Sequence, residues 1–251
     1  MANSTLRIAT WNLQRPKLNG WKRNPLLEKK LREIDADIWI LTETKASIAP
    51  SSPREEIAGY VPLASLPASF HSLGESCSTV WSRLGIRHSV TTFEPDTAVC
   101  AEVATPLGPM LVYGTIITYP NDPGTGKSKK WVEHRKVIEQ HSTDWLKISR
   151  DFPNHLMCVA GDFNQNRDDT AWFPAPAENA ESVRMLSEAL KNVSLKCVTT
   201  EDIRGKFKMS RANIDHICLS SKLVEEGKIR TEYWEDRAMS DHNGVCVEIS
   251  T

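Results

Sequence analysis

The chain has 251 residues, is 40% hydrophobic and 25% charged, and sets 31 Lys+Arg against 32 Asp+Glu for a formal net charge of -1. That composition excludes collagen-like, coiled-coil and disordered classes, and near-neutrality excludes an overall polycation. A chain of this length buries most of the surface its unfolded form exposes, so a core without disulfide staples is expected.

Apolar or β-branched runs predict strands over residues 6–12, 37–44, 78–82, 88–93, 98–105, 110–117, 155–164, 195–200, 214–220 and 244–250. Pro25 opens a predicted helix that runs to about Ile34, with Leu27, Leu31 and Ile34 on one face. A second helix starts near Ser128 and aligns Trp131, Ile138 and Trp145; a third covers about 178–191 with Val183, Leu186 and Leu190 inward. Several strands follow one another with no helix between them, so the sheet is expected to be mixed or partly antiparallel. Proline and glycine gather at 50–53, 119–126 and 172–179, which read as long surface loops of a kind often used for function. No repeat or composition break marks a linker, so residues 1–251 read as one domain.

Six cysteines, at 77, 100, 158, 197, 218 and 246, form no C-x-x-C pair and sit mostly in apolar runs such as LMCVA and DHICLS. They read as small buried residues. The opening MANSTLRIATWN lacks a signal-peptide pattern, and no apolar run is long enough to span a bilayer. A reducing, cytoplasmic setting without a membrane partner is the expectation.

The chemistry-bearing residues stand at strand ends. Asn12 closes the first strand, Glu43 ends the second, Asp162 and Asn164 end LMCVAGDFN, and Asp241 with His242 form the turn before the last strand. Such residues would converge on one rim of a sheet, where loops build sites on a rigid scaffold. The set is rich in hard oxygen donors and lacks a Cys or His cluster, which points to Mg²⁺ or Mn²⁺ and away from zinc. Taken singly, each has a plainer reading: a strand-end Asn or Glu is commonly a cap, GDFN commonly a turn, and Asp241–His242 commonly a surface pair. Their combination and order carry the signal.

In TWNLQ (10–14), DIWILTETK (37–45), VAGDFNQ (159–165), IDHICLS (214–220) and SDHNGVCVEI (240–249) the sequence resembles the endonuclease/exonuclease/phosphatase superfamily. That group contains exonuclease III-type abasic-site endonucleases, deoxyribonuclease I and the inositol-phosphate 5-phosphatases. The blocks arrive in the family order along the whole chain. The resemblance implies an α/β fold, a four-layer α/β sandwich of two packed mixed β-sheets flanked by helices, with the site at one edge. It implies that Asn12 and Glu43 coordinate metal, with Glu43 the principal carboxylate and Asp241 a further one. Asp162 would orient or deprotonate the attacking water, Asn164 hold the phosphate, His242 contact the scissile phosphate, and Asp215 fix the histidine. These roles suit in-line hydrolysis, in which a cation and an imidazolium offset charge developing on the phosphate. Neither a G-x-S-x-G elbow nor a P-loop is present.

The sequence also departs from the family pattern. Gln14 stands two residues after Asn12, where many nuclease members carry Asp, which removes a charge from a second metal position. Tyr119, followed by Pro120 and Asn121, resembles the family's phosphate-contacting Tyr-x-Pro-Asn form with one residue missing; Ile117 and Thr118 are the other alignments. LTETK and GESCSTVWSR replace the LQETK and glycine-rich strand of abasic-site enzymes, which ranks a dedicated abasic-site endonuclease below the general assignment.

Basic residues cluster despite the neutral total. Arg15, Lys17, Lys22, Arg23, Lys29, Lys30 and Arg32 crowd residues 15–32; Lys127, Lys129, Lys130, Arg135 and Lys136 crowd 127–136; Arg204, Lys206, Lys208 and Arg211 precede the IDH block. Each run flanks a site motif, so a positive rim for DNA or RNA is expected, with Lys130, Lys208 and Arg211 as substrate-binding candidates and Trp21 and Phe207 as stacking candidates. Solvated helix faces are the plainer alternative. The sequence therefore reads as a monomeric Mg²⁺-dependent (or Mn²⁺-dependent) phosphodiesterase, a nuclease. A phosphatase on a small or lipid-linked phosphate, favoured by a short selective pocket, and a binding module with a silent site are the alternatives.

Overall fold

Alternation along the strands sorts side chains into two layers. In β1 (Thr5–Asn12), Leu6 and Ile8 enter one apolar cluster while Ala9 and Trp11 enter another on the opposite face. The computed structural model describes residues 4–48, 59–69, 71–168 and 179–251. The loops expected at 50–53 and over 172–178 lie outside the described residues.

After β1 come α1 (Asn24–Ile34), β2 (Ile38–Lys45), β3 (Val61–Ala64), β4 (Glu75–Ser82), β5 (His88–Val90), β6 (Ala98–Thr105), β7 (Gly108–Ile116) and α2 (Val132–Asp151). They are followed by β8 (Leu156–Asp162), α3 (Ala180–Asn192), β9 (Leu195–Cys197), α4 (Ile203–Phe207), β10 (Asp215–Ser220), α5 (Ser221–Glu226), β11 (Lys228–Trp234) and β12 (Gly244–Ser250). The described strands form two mixed six-stranded sheets, ordered β11-β12-β1-β2-β4-β3 and β5-β6-β7-β8-β10-β9. Within them β1 pairs parallel with β2 and β7 parallel with β8, while the other pairings are antiparallel.

The inner faces meet in a cluster that includes Leu6, Ile8, Ile40, Val112, Ala160, Ile217 and Val247. Outside the first sheet, Leu27, Leu31 and Ile34 of α1 pack on Trp11, Trp39 and Trp81. Outside the second, Ile138 and Trp145 of α2 and Leu186 and Leu190 of α3 pack on Tyr113, Met157 and Val159. The result is the helix–sheet–sheet–helix layering that the family resemblance implied.

Three details differ from expectation. Residues 128–131 stay outside the helix, and α2 begins only after Trp131, whose left-handed φ of 73° ends the loop. Asn179 caps α3 by accepting from Ser182 N, so that helix starts at Ala180. Strands β3 and β11 escape an apolar pattern because they are sheet edges: β3 contains Pro62, and β11 buries only Trp234. The six cysteines are reduced, and all but the half-buried Cys197 are buried. Among the described residues no helix is long and apolar enough to cross a membrane.

Candidate active site

Three inward-facing rows end in polar residues at the same end of the sandwich. Leu6 and Ile8 lead to Asn12, Cys158 and Ala160 lead to Asp162, and Leu219 and Ile217 lead back to Asp215. The rows meet across the two sheets, where Asn12 Nδ2 donates to Asp162 Oδ2 at 3.0 Å. Asp162 and Asp215 are direct cross-strand partners. Because the adjacent pair is bonded through Phe163 N and Ile214 O, the two carboxylates occupy a non-hydrogen-bonded position, where opposed side chains lie closest. Gly161 makes this turn possible: its φ is 138°, and a Cβ there would lie 2.0 Å from Thr115 O. The GDFN motif then folds back, with Asn164 N on Asp162 Oδ1 at 2.9 Å and Asn164 Nδ2 on Ile117 O at 3.0 Å.

Glu43 arrives differently. Its place in β2 shares the outward row of Trp39 and Leu41, yet it lines the same cavity as Asp162 and His242. A left-handed backbone, with φ of 49°, breaks the alternation and turns the residue inward. Gln14, Arg15 and Asn164 are left-handed too, so four of the eight non-glycine residues with positive φ among the described residues lie here. Non-glycine residues held there cost of order 1–3 kcal/mol each, strain that gathers at functional sites. Arg15 N bonds Glu43 O at 2.9 Å, and its guanidinium approaches the Glu43 carboxylate at 3.7 Å.

His242 completes the cluster. Its Nδ1 lies 2.6 Å from Asp215 Oδ2, and its Nε2 lies 4.0 Å from Asp162 Oδ2 and 3.9 Å from Asp241 Oδ1. Burial alone would lower the imidazole, but Asp215, then Asp162, overcome it and raise the pKa to about 10. Burial raises Asp162, and despite the opposing pull of His242 it ends near pKa 7, with the facing Asp215 adding to the rise. Asp162, Asp215 and His242 each offer one ligand atom within 4.8 Å of one another, and Asp215 Oδ1 is buried without a hydrogen-bond partner. The carboxylate and carboxamide oxygens gathered here, those of Glu43 and Asn12 among them, suit a hard divalent cation, while the protonated His242 does not serve as a ligand.

Asp162, Asn164 and His242 line a 620 Å³ cavity together with Arg15 and Glu43. Tyr119 lines it and is half exposed; Thr118, its neighbour in the alternative alignment, also lines it and donates to Asp122, whereas Ile117 is buried in the outer core. Asp241 stands on the exposed rim, tied through its carbonyl to Arg211 NH1 at 3.0 Å. Lys208 and Lys130 are not part of this cavity's wall. Lys208 caps α4 beside a separate depression lined by Arg204 and Ser210, and Lys130 lies 5.6 Å over the Trp131 ring. Trp21 and Phe207 are both exposed.

Several supporting residues carry no motif signal. Arg23 donates to Leu13 O and Met239 O, both at 2.5 Å, and to Gln14 O at 3.1 Å, clamping the loop after β1 to the one before His242. Ser240 Oγ donates to Asn12 O at 2.7 Å and accepts from His242 N at 3.1 Å. Arg15 and Arg23, expected as part of a basic surface, are thus engaged within the site. Only Ser240 had a legible cue, its place directly before Asp241–His242.

No family model and no curated protein matches this chain. Solved structures do. The endonuclease domain of TRAS1, a telomere-specific non-LTR retrotransposon, matches with a TM-score of 0.69 at 16% identity, over 98% of this chain and 98% of that one. The AP endonuclease LMAP from Leishmania major matches with a TM-score of 0.72 at 13% identity, over 99% of this chain and 88% of that one. A D. rerio TDP2 humanized by 14 mutations matches with a TM-score of 0.63 at 16% identity, over 98% and 99%. All three are members of the endonuclease/exonuclease/phosphatase superfamily, and this chain has the four-layer α/β fold that they share.

Proposed function

We propose that this protein is a divalent-metal-dependent phosphodiesterase, a nuclease acting on DNA or RNA by direct attack of water. The observation that carries the reading is the chain of contacts Asn12–Asp162, Asp162–His242 and His242–Asp215, drawn from four separate strands and loops beside Glu43. Glu43 and Asn12, with Asp241 at the rim, would hold the cation, Mg²⁺ by preference and Mn²⁺ as the substitute. When bound, such a cation withdraws charge from the phosphate oxygens.

The chain's own groups divide the remaining work. Asp162, with a pKa near neutrality, orients a water and takes its proton as the water attacks phosphorus and the P–O bond to the opposite ester oxygen breaks, that oxygen leaving as a hydroxyl once it gains a proton. His242, kept protonated by Asp215, donates from Nε2 to an oxygen of the scissile phosphate. Asn164 uses one amide N–H on Ile117 O and has a second for the phosphate. Tyr119 on the cavity wall and Arg211 beside Asp241 would meet a flanking phosphate, and Lys208 and Lys130 would extend the footprint. One domain over residues 1–251, acting as a monomer in a reducing cytoplasm, accommodates the reduced cysteines.

Nicking of supercoiled plasmid tests the proposal. Nicking is expected with Mg²⁺, is abolished by EDTA, and falls by about 10²–10⁴-fold in a folded Asp162→Asn variant. Metal-independent nicking, or full activity in the variant, would sink it.

A further inference from the structure

We propose that the part of the cavity away from the catalytic carboxylates is a nucleobase subsite that selects an unpaired guanine next to the scissile phosphate. The inference rests on the nuclease reading and goes beyond it by naming the substrate. A cavity of 620 Å³ is the size of a small-ligand pocket, with room for more than a phosphate. Beyond the catalytic groups its wall comes from Cys77 on β4, Glu94 and Thr97 in the turn before β6, and Val137 and Gln140 on α2. Cys77, Val137 and the Tyr119 ring offer apolar surface to a flat ring.

The polar part of that wall is specific. Gln140 Nε2 donates to Glu94 Oε1 at 3.3 Å, so an amide donor and a carboxylate lie side by side. Glu43 and Asp162 have cations near them, Arg15 and His242, and Asp122 is taken up by the Thr118 hydroxyl and Gly124 N, whereas Glu94 meets the Gln140 amide. Gln140 Nε2 keeps a second N–H beyond the one on Glu94 Oε1, and Glu94 keeps Oε2 and a further lone pair of Oε1, so the pair can offer one donor and two acceptor oxygens. The Watson–Crick edge of guanine is its complement: O6 accepts, and N1–H and N2–H donate in parallel. Adenine and cytosine each place a ring acceptor where guanine has N1–H, and would oppose the carboxylate there.

The reader is held rigidly. Glu94 O accepts from Thr97 N at 3.1 Å and Ala98 N at 2.9 Å, and Phe93 N donates to the buried Asp144 of α2 at 3.0 Å. A wall fixed to both β6 and α2 is pre-organised for one partner. A base read on its Watson–Crick edge cannot be paired, which makes the substrate single-stranded or a nucleotide turned out of a duplex.

The experiment uses single-stranded oligonucleotides with Mg²⁺, identical except for guanine, hypoxanthine, adenine or cytosine at one position, with cut sites mapped by mass. Cleavage beside guanine is expected to exceed that beside adenine by about tenfold or more, with hypoxanthine, which lacks the N2 amine, in between. Glu94→Gln is expected to erase that order. In parallel, NMR titration of the metal-free protein with guanosine 5′-monophosphate and adenosine 5′-monophosphate should show tighter binding of the former. Equal cleavage beside all four bases by the unaltered protein would overturn the subsite and leave the nuclease reading standing. Selective guanosine 5′-monophosphate binding without cleavage of any oligonucleotide would support the subsite and overturn the nuclease reading. The guanine–hypoxanthine comparison needs no variant, so a misfolded Glu94→Gln would not rescue the proposal.

Discussion

His242, partly exposed on the cavity, and the fully buried His141 lie on either side of β8's sheet and meet opposite fates. His242 sits at the sandwich edge between Asp215 and Asp162, and their charges raise it to about 10 against the cost of burial. His141 of α2 is sealed under the outer face, between the Tyr113 hydroxyl at 3.1 Å and the Thr115 hydroxyl at 2.8 Å, and burial lowers it to about 4. A carboxylate is near His141 as well, but Asp144 accepts from Tyr113 at 2.7 Å and from Phe93 N. With its proton committed to Asp144, the Tyr113 hydroxyl is left to accept from His141 Nδ1, so Asp144 does not pair with the imidazole directly. Direct pairing with a carboxylate, more than depth, decides which of these imidazoles is a cation.

Breaking the charged member should give the largest effect. His242→Asn is expected to lower kcat for phosphodiester cleavage by about 10²–10⁴-fold. Asp215→Asn tests the cause, since it keeps an acceptor for Nδ1 and removes the charge. Its expected signature is a fall in the His242 pKa from about 10, followed by NMR titration of the ring protons, together with reduced kcat. An unmoved His242 titration would show that Asp215 is not what holds the proton there.

The neutral member should announce itself in stability. The folded pKa of His141 lies below the unfolded value of about 6.5, so the unfolded chain binds the extra proton first as pH falls. The stabilisation from keeping it neutral is therefore present above about pH 6.5 and is lost as pH falls toward 4. Between pH 7 and pH 5 the unaltered protein should lose about 2 kcal/mol more than His141→Gln in urea unfolding. Parallel pH profiles for the two proteins would show that His141 is not held neutral.

How much of this was legible depended on which force acted. Asn12, Asp162 and Asp215 extend inward apolar rows, so alternation alone carries them to one rim. Glu43 belongs to the wrong row, and only its left-handed φ turns it inward; a local period cannot reveal that, although the LTETK block located the residue. Arg23 and Ser240 act on backbone carbonyls contributed by distant segments, and sequence spacing does not record such contacts. The edge strands β3 and β11 bury too little to show a two-residue period. The Glu94–Gln140 pair joins a turn to a helix 46 positions away, and no motif marked either residue.

Lys130 offers the smallest and sharpest contrast with the paired charges of the site. It is exposed, lies 5.6 Å over the Trp131 ring, and stands outside the catalytic cavity, so its charge remains hydrated. A hydrated cation affects a polyanion mainly by releasing counterions from one phosphate, without helping the chemical step. Lys130→Ala should therefore reduce the slope of log affinity against log salt by about 0.7–0.9, the value for a single contact, across all oligonucleotide sequences alike. Fluorescence-anisotropy titrations at several salt concentrations in EDTA measure that slope without turnover. An unchanged slope would remove Lys130 from the footprint and confine the useful positive charge to groups that the fold itself orders, such as Arg211 on Asp241 O.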